Sequence, residues 1–250
     1  MTIIQTFFNS YGEPLIIVDA ADFEVANDYM LRGGDLTGSA DSKSGTLSAW
    51  IRLDEGNGTA MRIVDNTGSG FIFVRRSDDI FGVQAENAAG TTILLLLSAT
   101  TYTAAATWLH VLASWDLASA TGHLYINDVS DLAASPTLTD DTIDYTKAEW
   151  SVGADVAGGN QLGGCIAELY LAQGQYLDLS IVSNRRKFIS ASGKPVFLGT
   201  DGSQPTGTAA IVYQHLDDGE AVANFATNAG TGGDFTIVDS LATCSSSPSD

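Results

Sequence analysis

The sequence has 250 residues, of which 44% are hydrophobic, so it is long enough to bury one large domain core. Glycine is abundant (26 residues) and proline is scarce (5 residues), a mix typical of short strands joined by tight turns rather than of a disordered or collagen-like chain. The 30 acidic and 11 basic residues give a net charge of -19, which repels phosphate backbones and argues against nucleic acid as a direct partner.

Residues 1–20 differ in pattern from the rest of the chain, and we predict that they form an N-terminal arm or docking strand. A turn at residues 12–14 separates two apolar groups, the second of which is residues 15–18. The first group could anchor the chain on a partner. Its residues are Ile3, Ile4, Phe7 and Phe8.

From Phe23 onward the pattern is one of strands and turns. Residues 46–53 alternate, with four aliphatic side chains on one face and a mixed set that includes Trp50 on the other. Residues 108–115 alternate in the same way, and a turn is expected at residues 127–128. Because strands recur about every 10–12 residues, the sequence predicts an all-β sandwich or barrel.

One short helix is predicted near residues 180–190. Ser180 is the expected N-cap, and Gly193 and Pro195 are the expected stop signals. Arg185 and Arg186 fall near its C-terminal end, where cations suit the helix dipole. In so acidic a chain we also consider these two arginines as a docking point for an acidic partner, although an exposed helix end is the favoured explanation.

The two cysteines, Cys165 and Cys244, do not form a Cys-x-x-Cys pattern, so no zinc site is indicated. Both a disulfide and two separate thiols are compatible with the sequence, and two thiols are favoured. The polar segment at residues 244–250 is expected to be a flexible tail.

The N-terminal residues do not have the pattern of a secretory signal. The first basic residue is Arg32, and acidic residues and a proline interrupt the early apolar groups. The longest apolar runs, residues 15–18 and 93–97, are too short to span a bilayer. We therefore expect no membrane insertion, and either a cytosolic protein or one released by another route, such as a virus particle assembled in the host cytoplasm.

Three segments together resemble laminin-G-like jelly rolls of the concanavalin A type. They are FEVANDYMLRGGDLTGSADSKSGTLSAWIRLD at residues 23–54, WLHVLASWDLASATGHLYIND at residues 108–128 and LGGCIAELYLA at residues 162–172. The resemblance implies a two-sheet antiparallel jelly-roll sandwich over residues 21–243.

The C-terminal third is similar to the ending of tailed-phage virion structural proteins, on residues 176–213 and 230–250. This resemblance implies a non-enzymatic structural protein: a head decoration, a head fibre or a tail component. Its partners would be other virion proteins and further copies of itself in a symmetric oligomer. A glycan-binding adhesin that recognises host surface polysaccharide is the alternative, and an enzyme that degrades polysaccharide is a remote one.

Catalytic chemistry has little support in the sequence. Glycosidases need two facing carboxylates, which on a strand lie two residues apart, but Glu168 stands alone on its predicted strand. The three histidines accompany no Gly-x-Ser-x-Gly motif, and His110 and His123 lie on predicted strands. We interpret these residues as structural.

Calcium is the one cofactor with candidate ligands, because related jelly rolls bind it through oxygen atoms at a sheet rim. Ordinary turn chemistry accounts for the same residues. The candidates are Asp65, Asp78, Asp79 and Asp128.

A sugar site would need exposed aromatic side chains. The sequence does not select one, because most of its candidates lie in predicted strands, where core packing is favoured. These candidates are Trp50, Trp108, Trp115, Trp150 and Tyr125.

Overall fold

The computed structural model describes residues 7–8, 14–23 and 27–250. Within these residues the strands, in chain order, are β1 (Phe7–Phe8), β2 (Pro14–Leu15), β3 (Ala21–Asp22), β4 (Tyr29–Arg32), β5 (Ser44–Leu53), β6 (Met61–Asn66), β7 (Phe71–Arg75), β8 (Phe81–Glu86), β9 (Thr92–Leu97), β10 (Ala105–Asp116), β11 (Thr121–Ile126), β12 (Val129–Ser130), β13 (Thr137–Leu138), β14 (Trp150–Val152), β15 (Gly164–Gln173), β16 (Val212–Gln214), β17 (Thr236–Val238) and β18 (Ala242–Thr243). The helical segments there are α1 (Val182–Arg185) and short 3₁₀ turns at Thr67–Ser69, Leu117–Ser119 and Val222–Ala226.

The strands form two large antiparallel sheets that pack face to face. The first sheet has the order β12-β11-β10-β5-β15-β3-β18, with β16 also paired to β15. The second has the order β13-β9-β8-β7-β6-β14-β4-β17. Neighbours far apart in sequence lie side by side in both sheets, and this confirms the two-sheet jelly-roll sandwich predicted from the sequence.

The main core lies between the two sheets. Alternation along β5 sends Leu47, Ala49, Ile51 and Leu53 into it, as the period of two predicts. Pairing of β5 with β10 aligns Ala49 with Val111, so the apolar faces of the two longest strands match. Trp115 and Trp150 are fully buried there, which confirms core packing for these two candidates.

The opposite face of the first sheet is also covered. Two smaller apolar clusters lie on it, formed between outward side chains of β5, β10 and β15 and the chain that follows β15. In one, Phe188 packs edge-on against Tyr170 at 5.3 Å between ring centroids. Residues 177–210 and the tail at residues 244–250 therefore act as a third layer over this sheet, which we call the C-terminal cover.

The predicted helix is much shorter in the structure. It comprises only Val182–Arg185, and Ile181 occupies the N-cap position without a side-chain hydrogen bond. Ser180 lies one residue before the N-cap, and its hydroxyl donates to the carboxylate of Asp178 at 2.6 Å.

The expectation of two separate thiols is wrong in this structure. Cys165 and Cys244 form a disulfide, although 79 residues separate them in sequence. The two-residue strand β18 pairs with β3, which is itself the neighbour of β15. Cys244, directly after β18, donates its backbone N–H to the carbonyl of Ala20 at 2.9 Å, and this pairing places Cys244 beside β15. Spacing alone could not reveal this approach.

The structure describes part of the predicted N-terminal arm and all of the predicted C-terminal tail. Val18 and Ala20, assigned to the arm, are buried, and Val18 bridges to Asp217. Residues 244–250, predicted as a flexible tail, lie against the domain because the disulfide and serine hydrogen bonds hold them. In the part of the chain that the structure describes, no helix is long and apolar enough to cross a membrane.

Candidate ligand-binding pocket

A cavity of about 440 Å³ opens at one end of the C-terminal cover. Its size falls within the range of small-ligand sites. Four parts of the chain surround it: the outer face of the first sheet, the turn at residues 127–128, the loop at residues 189–194 and the tail. The side chains that matter below are Trp50, Trp108, Asn127, Asp128, Ser247 and Pro248.

Two tryptophans form the aromatic side of the pocket. Trp50 on β5 and Trp108 on β10 point away from the main core, because they occupy the alternate register of their strands. The Trp50 ring packs against His110, with 4.7 Å between ring centroids and 34° between the ring planes. Trp108 is half-buried, and its indole Nε1 donates to the Ser246 hydroxyl of the tail at 3.2 Å.

The turn between β11 and β12 supplies the polar side. Asn127 and Asp128 both have left-handed backbone, with φ of 50° and 66°, which Asn and Asp tolerate better than most residues. Asn127 Oδ1 accepts the backbone N–H of His110 at 2.8 Å, so the turn is tied to β10. This confirms the turn predicted at these two residues.

Asp128 is an ion-paired carboxylate at the pocket edge. Partial burial acts to raise its pKa, but hydrogen bonds from Arg186 and Arg185 outweigh this and lower the pKa below its usual value. Arg185 Nε lies 2.5 Å from Asp128, and its guanidinium sits 4.5 Å from the centre of the Tyr125 ring. Arg185 is 9% exposed, and both arginines predicted to dock a partner pair with Asp128 of the same chain.

The calcium candidates are dispersed. Asp78 pairs with Arg76, whose hydrogen bond lowers the pKa of the carboxyl. Asp79 accepts hydrogen bonds from Arg75 and from the backbone N–H of Gly58. Among the described residues, no group of three or more acidic, histidine or cysteine side chains is placed to hold a metal ion.

Asp65, the remaining calcium candidate besides Asp128, is 5% exposed on β6. Burial raises the pKa of its carboxyl to about 6, and the nearby Arg62 only partly offsets this. The structure therefore places the four candidates at three separate positions, with Asp78 and Asp79 in one turn, rather than at one site.

Two of the titratable residues considered for catalysis, His110 and Glu168, are buried. His110 shares a 2.8 Å hydrogen bond with Ser48, and burial lowers its pKa to about 3. Glu168 accepts the Tyr213 hydroxyl at 2.9 Å, and burial raises its pKa to about 8. Neither side chain lines the pocket. Both residues make buried hydrogen bonds within the fold.

The predicted docking residues at the N-terminus are only partly described. Ile3 and Ile4 lie outside the described residues. Phe7 and Phe8 form β1, which pairs with β2 as a separate two-stranded ribbon.

The sequence profile of the Concanavalin A-like lectin/glucanases superfamily, laminin-G type, matches residues 27–175, which run from just before β4 to the end of β15. The chain belongs to this superfamily. The matched stretch holds most of both sheets, whereas the C-terminal cover follows it. The superfamily fold therefore provides Trp50, Trp108 and the turn at residues 127–128, and the cover completes the pocket.

Solved structures share the superfamily fold. A Bacteroides ovatus protein that is proposed to bind carbohydrate matches with a TM-score of 0.65 and 16% identity, over 92% of this chain and 60% of its own. A heptameric SAP-like pentraxin from Limulus polyphemus matches with a TM-score of 0.55 and 14% identity, over 90% of this chain and 94% of its own. None of the curated proteins matches this sequence. At such identities the likeness shows the fold alone.

The sequence offers Trp50 and Trp108 as candidates for a sugar site but does not single them out. It does not indicate that the loop at residues 189–194 or the tail takes part in the pocket. One signal was present. Trp50 shares its strand face with Ser48 and Arg52, and a large apolar ring in such a register indicates that something covers this face.

Proposed function

We propose that this protein is a non-enzymatic, lectin-like module and that the Trp50–Trp108 pocket binds a glycan. The observation that carries the proposal is the pocket itself: an open cavity with aromatic rings on one side and amide, carboxylate and hydroxyl groups on the others. Sugars have apolar ring faces and polar edges, and a site of this composition suits both. The carbohydrate binding proposed for the Bacteroides ovatus structure agrees with this function.

Truncation of Trp108 tests the proposal. We expect Trp108→Ala to weaken binding of any glycan identified on an array by about tenfold or more, because the half-exposed indole supplies most of the accessible aromatic surface. Titration calorimetry with that glycan measures the change. Tyr29→Ala is the matched control, since Tyr29 is a half-buried aromatic on the second sheet.

Two results would contradict the glycan site. One is an array on which the wild-type protein binds no glycan, and the other is equal affinity of Trp108→Ala and wild type. Release of reducing ends from a polysaccharide by the purified protein would contradict the non-enzymatic part of the proposal.

The wider proposal places the module in a tailed-phage particle, as a head decoration, head fibre or tail component assembled in the host cytoplasm. Its support is the sequence resemblance of residues 176–213 and 230–250 to virion proteins. Docking of other virion proteins through Ile3, Ile4, Phe7 and Phe8 belongs to this proposal, as does a symmetric oligomer. Mass spectrometry of purified particles tests it, and absence of the protein from them would refute it.

A further inference from the structure

The tail runs along the pocket under several restraints. The disulfide joins Cys244 to Cys165, which is fully buried on β15. Directly after it, the hydroxyls of Ser245 and Ser246 each accept a hydrogen bond from Arg52 Nη1 at 2.9 Å. Ser246 also accepts the Trp108 indole N–H. The tail therefore contacts the same tryptophan that the glycan would use.

The last part of the tail forms one wall of the cavity. Ser247 and Pro248 line it, and the Ser249 hydroxyl both accepts from the backbone N–H of Val18 and donates to its carbonyl, at 3.2 Å each. A volume of about 440 Å³ stays open beside these residues. The tail thus shapes the pocket without filling it.

The non-covalent restraints on the tail are mainly hydrogen bonds, and they include one from Lys194 to the backbone carbonyl of Asp250. Strand β18 is two residues long, and both residues are exposed. The remaining hydrogen bonds come mostly from serine hydroxyls close to the surface. Ser247 and Pro248 are buried, but each serine hydrogen bond contributes only about 0.5–1.5 kcal/mol, so the covalent bond is the strongest single restraint on the wall.

We infer that the Cys165–Cys244 disulfide is a redox latch for the pocket. The inference rests on the proposed function for what the pocket binds. When the bond is intact, the tail is a fixed wall and Trp108 is hydrogen-bonded to it. When a dithiol reduces the bond, two electrons and two protons convert it into two thiols and the reductant becomes a disulfide. The tail is then released and the pocket loses that wall.

The experiment compares oxidised protein with dithiothreitol-treated protein in three measurements. Acrylamide quenching of tryptophan fluorescence reports mainly on Trp108, because the other three tryptophans are buried. We expect quenching to rise about twofold on reduction and hydrogen exchange to accelerate at residues 244–250. We also expect the Kd for the glycan to rise about tenfold, because a preformed wall is lost.

Two variants separate the latch from side effects of the reductant. The double variant Cys165→Ser, Cys244→Ser should reproduce the reduced state without dithiothreitol and should not respond to it. Ser246→Ala keeps the disulfide but removes the contact to Trp108. It should raise quenching of Trp108 and leave hydrogen exchange of the rest of the tail unchanged.

Unchanged exchange at residues 244–250 after reduction overturns the latch. So does glycan binding that is equal or tighter once the tail is free, since the tail would then be no useful wall. Faster hydrogen exchange across both sheets also overturns it, because the disulfide would then stabilise the whole domain and not only the tail. If oxidised protein binds no glycan, the proposed function fails, whereas quenching and exchange still decide whether the latch exists.

Discussion

At the scale of single residues, Arg75 illustrates a buried charge whose donors are all used. It is fully buried at the end of β7, and Nη1 donates to the carbonyls of Gly56 at 2.5 Å and Thr59 at 3.1 Å. Nε donates to the carbonyl of Tyr102 at 3.1 Å, and Nη2 binds the carboxylate of Asp79. One guanidinium therefore connects three loops at one end of the second sheet.

We expect Arg75→Met to lower the free energy of unfolding by about 3–5 kcal/mol, because it leaves Asp79 and several carbonyls without their donor. Urea denaturation measures this. Arg76→Met is the matched control: Arg76 pairs with Asp78 at the surface, and exposed pairs contribute about 0–1 kcal/mol. Equal destabilisation by the two variants would contradict the special role of Arg75.

At the scale of elements, the strands follow from local pattern and the C-terminal cover does not. The alternation in residues 46–53 and 108–115 identifies the faces of β5 and β10 because a strand repeats every two residues. The cover is mostly irregular, and its helix has only four residues. It therefore has no hydrophobic periodicity from which its structure could be predicted. Its position depends on contacts with residues more than fifty positions away, such as those of Arg185 with Asp128.

The packing of the cover is open to test at Phe188. It is 1% exposed and packs on Tyr170 of β15. We expect Phe188→Ala to lower the free energy of unfolding by about 3–5 kcal/mol, because it opens a cavity in the apolar cluster under the C-terminal cover. Thermal and urea unfolding measure the loss. Val182→Ala on α1, where Val182 is 51% exposed, should change stability by less than about 0.5 kcal/mol. A neutral Phe188→Ala would mean that the cover is loosely attached.

At the scale of the whole molecule, buried titratable groups make stability depend on pH in two directions. Burial raises the pKa of Glu168 from 4.5 to about 8, so the folded protein keeps a proton that the unfolded chain loses. The stability that this group contributes is fully present below pH 4.5 and is lost as pH rises through about 8. Burial lowers the pKa of His110 from 6.5 to about 3, and its contribution is lost as pH falls through about 3.

Glu168→Gln isolates the first effect. As pH rises from about 5 to about 8, the free energy of unfolding of the wild type should fall by roughly 3 kcal/mol relative to that of the variant. The reason is that glutamine occupies the buried site without ionising. Urea denaturation at several pH values gives the difference, with Glu55→Gln at an exposed position as the control. Parallel pH profiles for wild type and Glu168→Gln would show that Glu168 does not set this dependence.

The site was predictable only in its components. Trp50, Trp108 and the turn at Asn127–Asp128 could be named from the sequence, because aromatic residues and turn residues are recognisable where they occur. Their convergence could not be predicted, since β5, β10 and the β11–β12 turn meet through sheet pairing. The environment of Glu168 could not be predicted either. A bulge between Ala167 and Tyr170 gives Glu168 a φ of 50°, and the alternating pattern of the strand does not indicate this bulge.

The sequence by itself determined the all-β class, the faces of the long strands and the acidic charge, because these depend on residue type and on a period of two. Only the tertiary structure decided that Cys165 meets Cys244, that Arg185 and Arg186 bind Asp128, and that the tail borders the Trp108 pocket. Each of these depends on where distant segments return to the first sheet. That return is set by the packing of the whole chain, which no local pattern records.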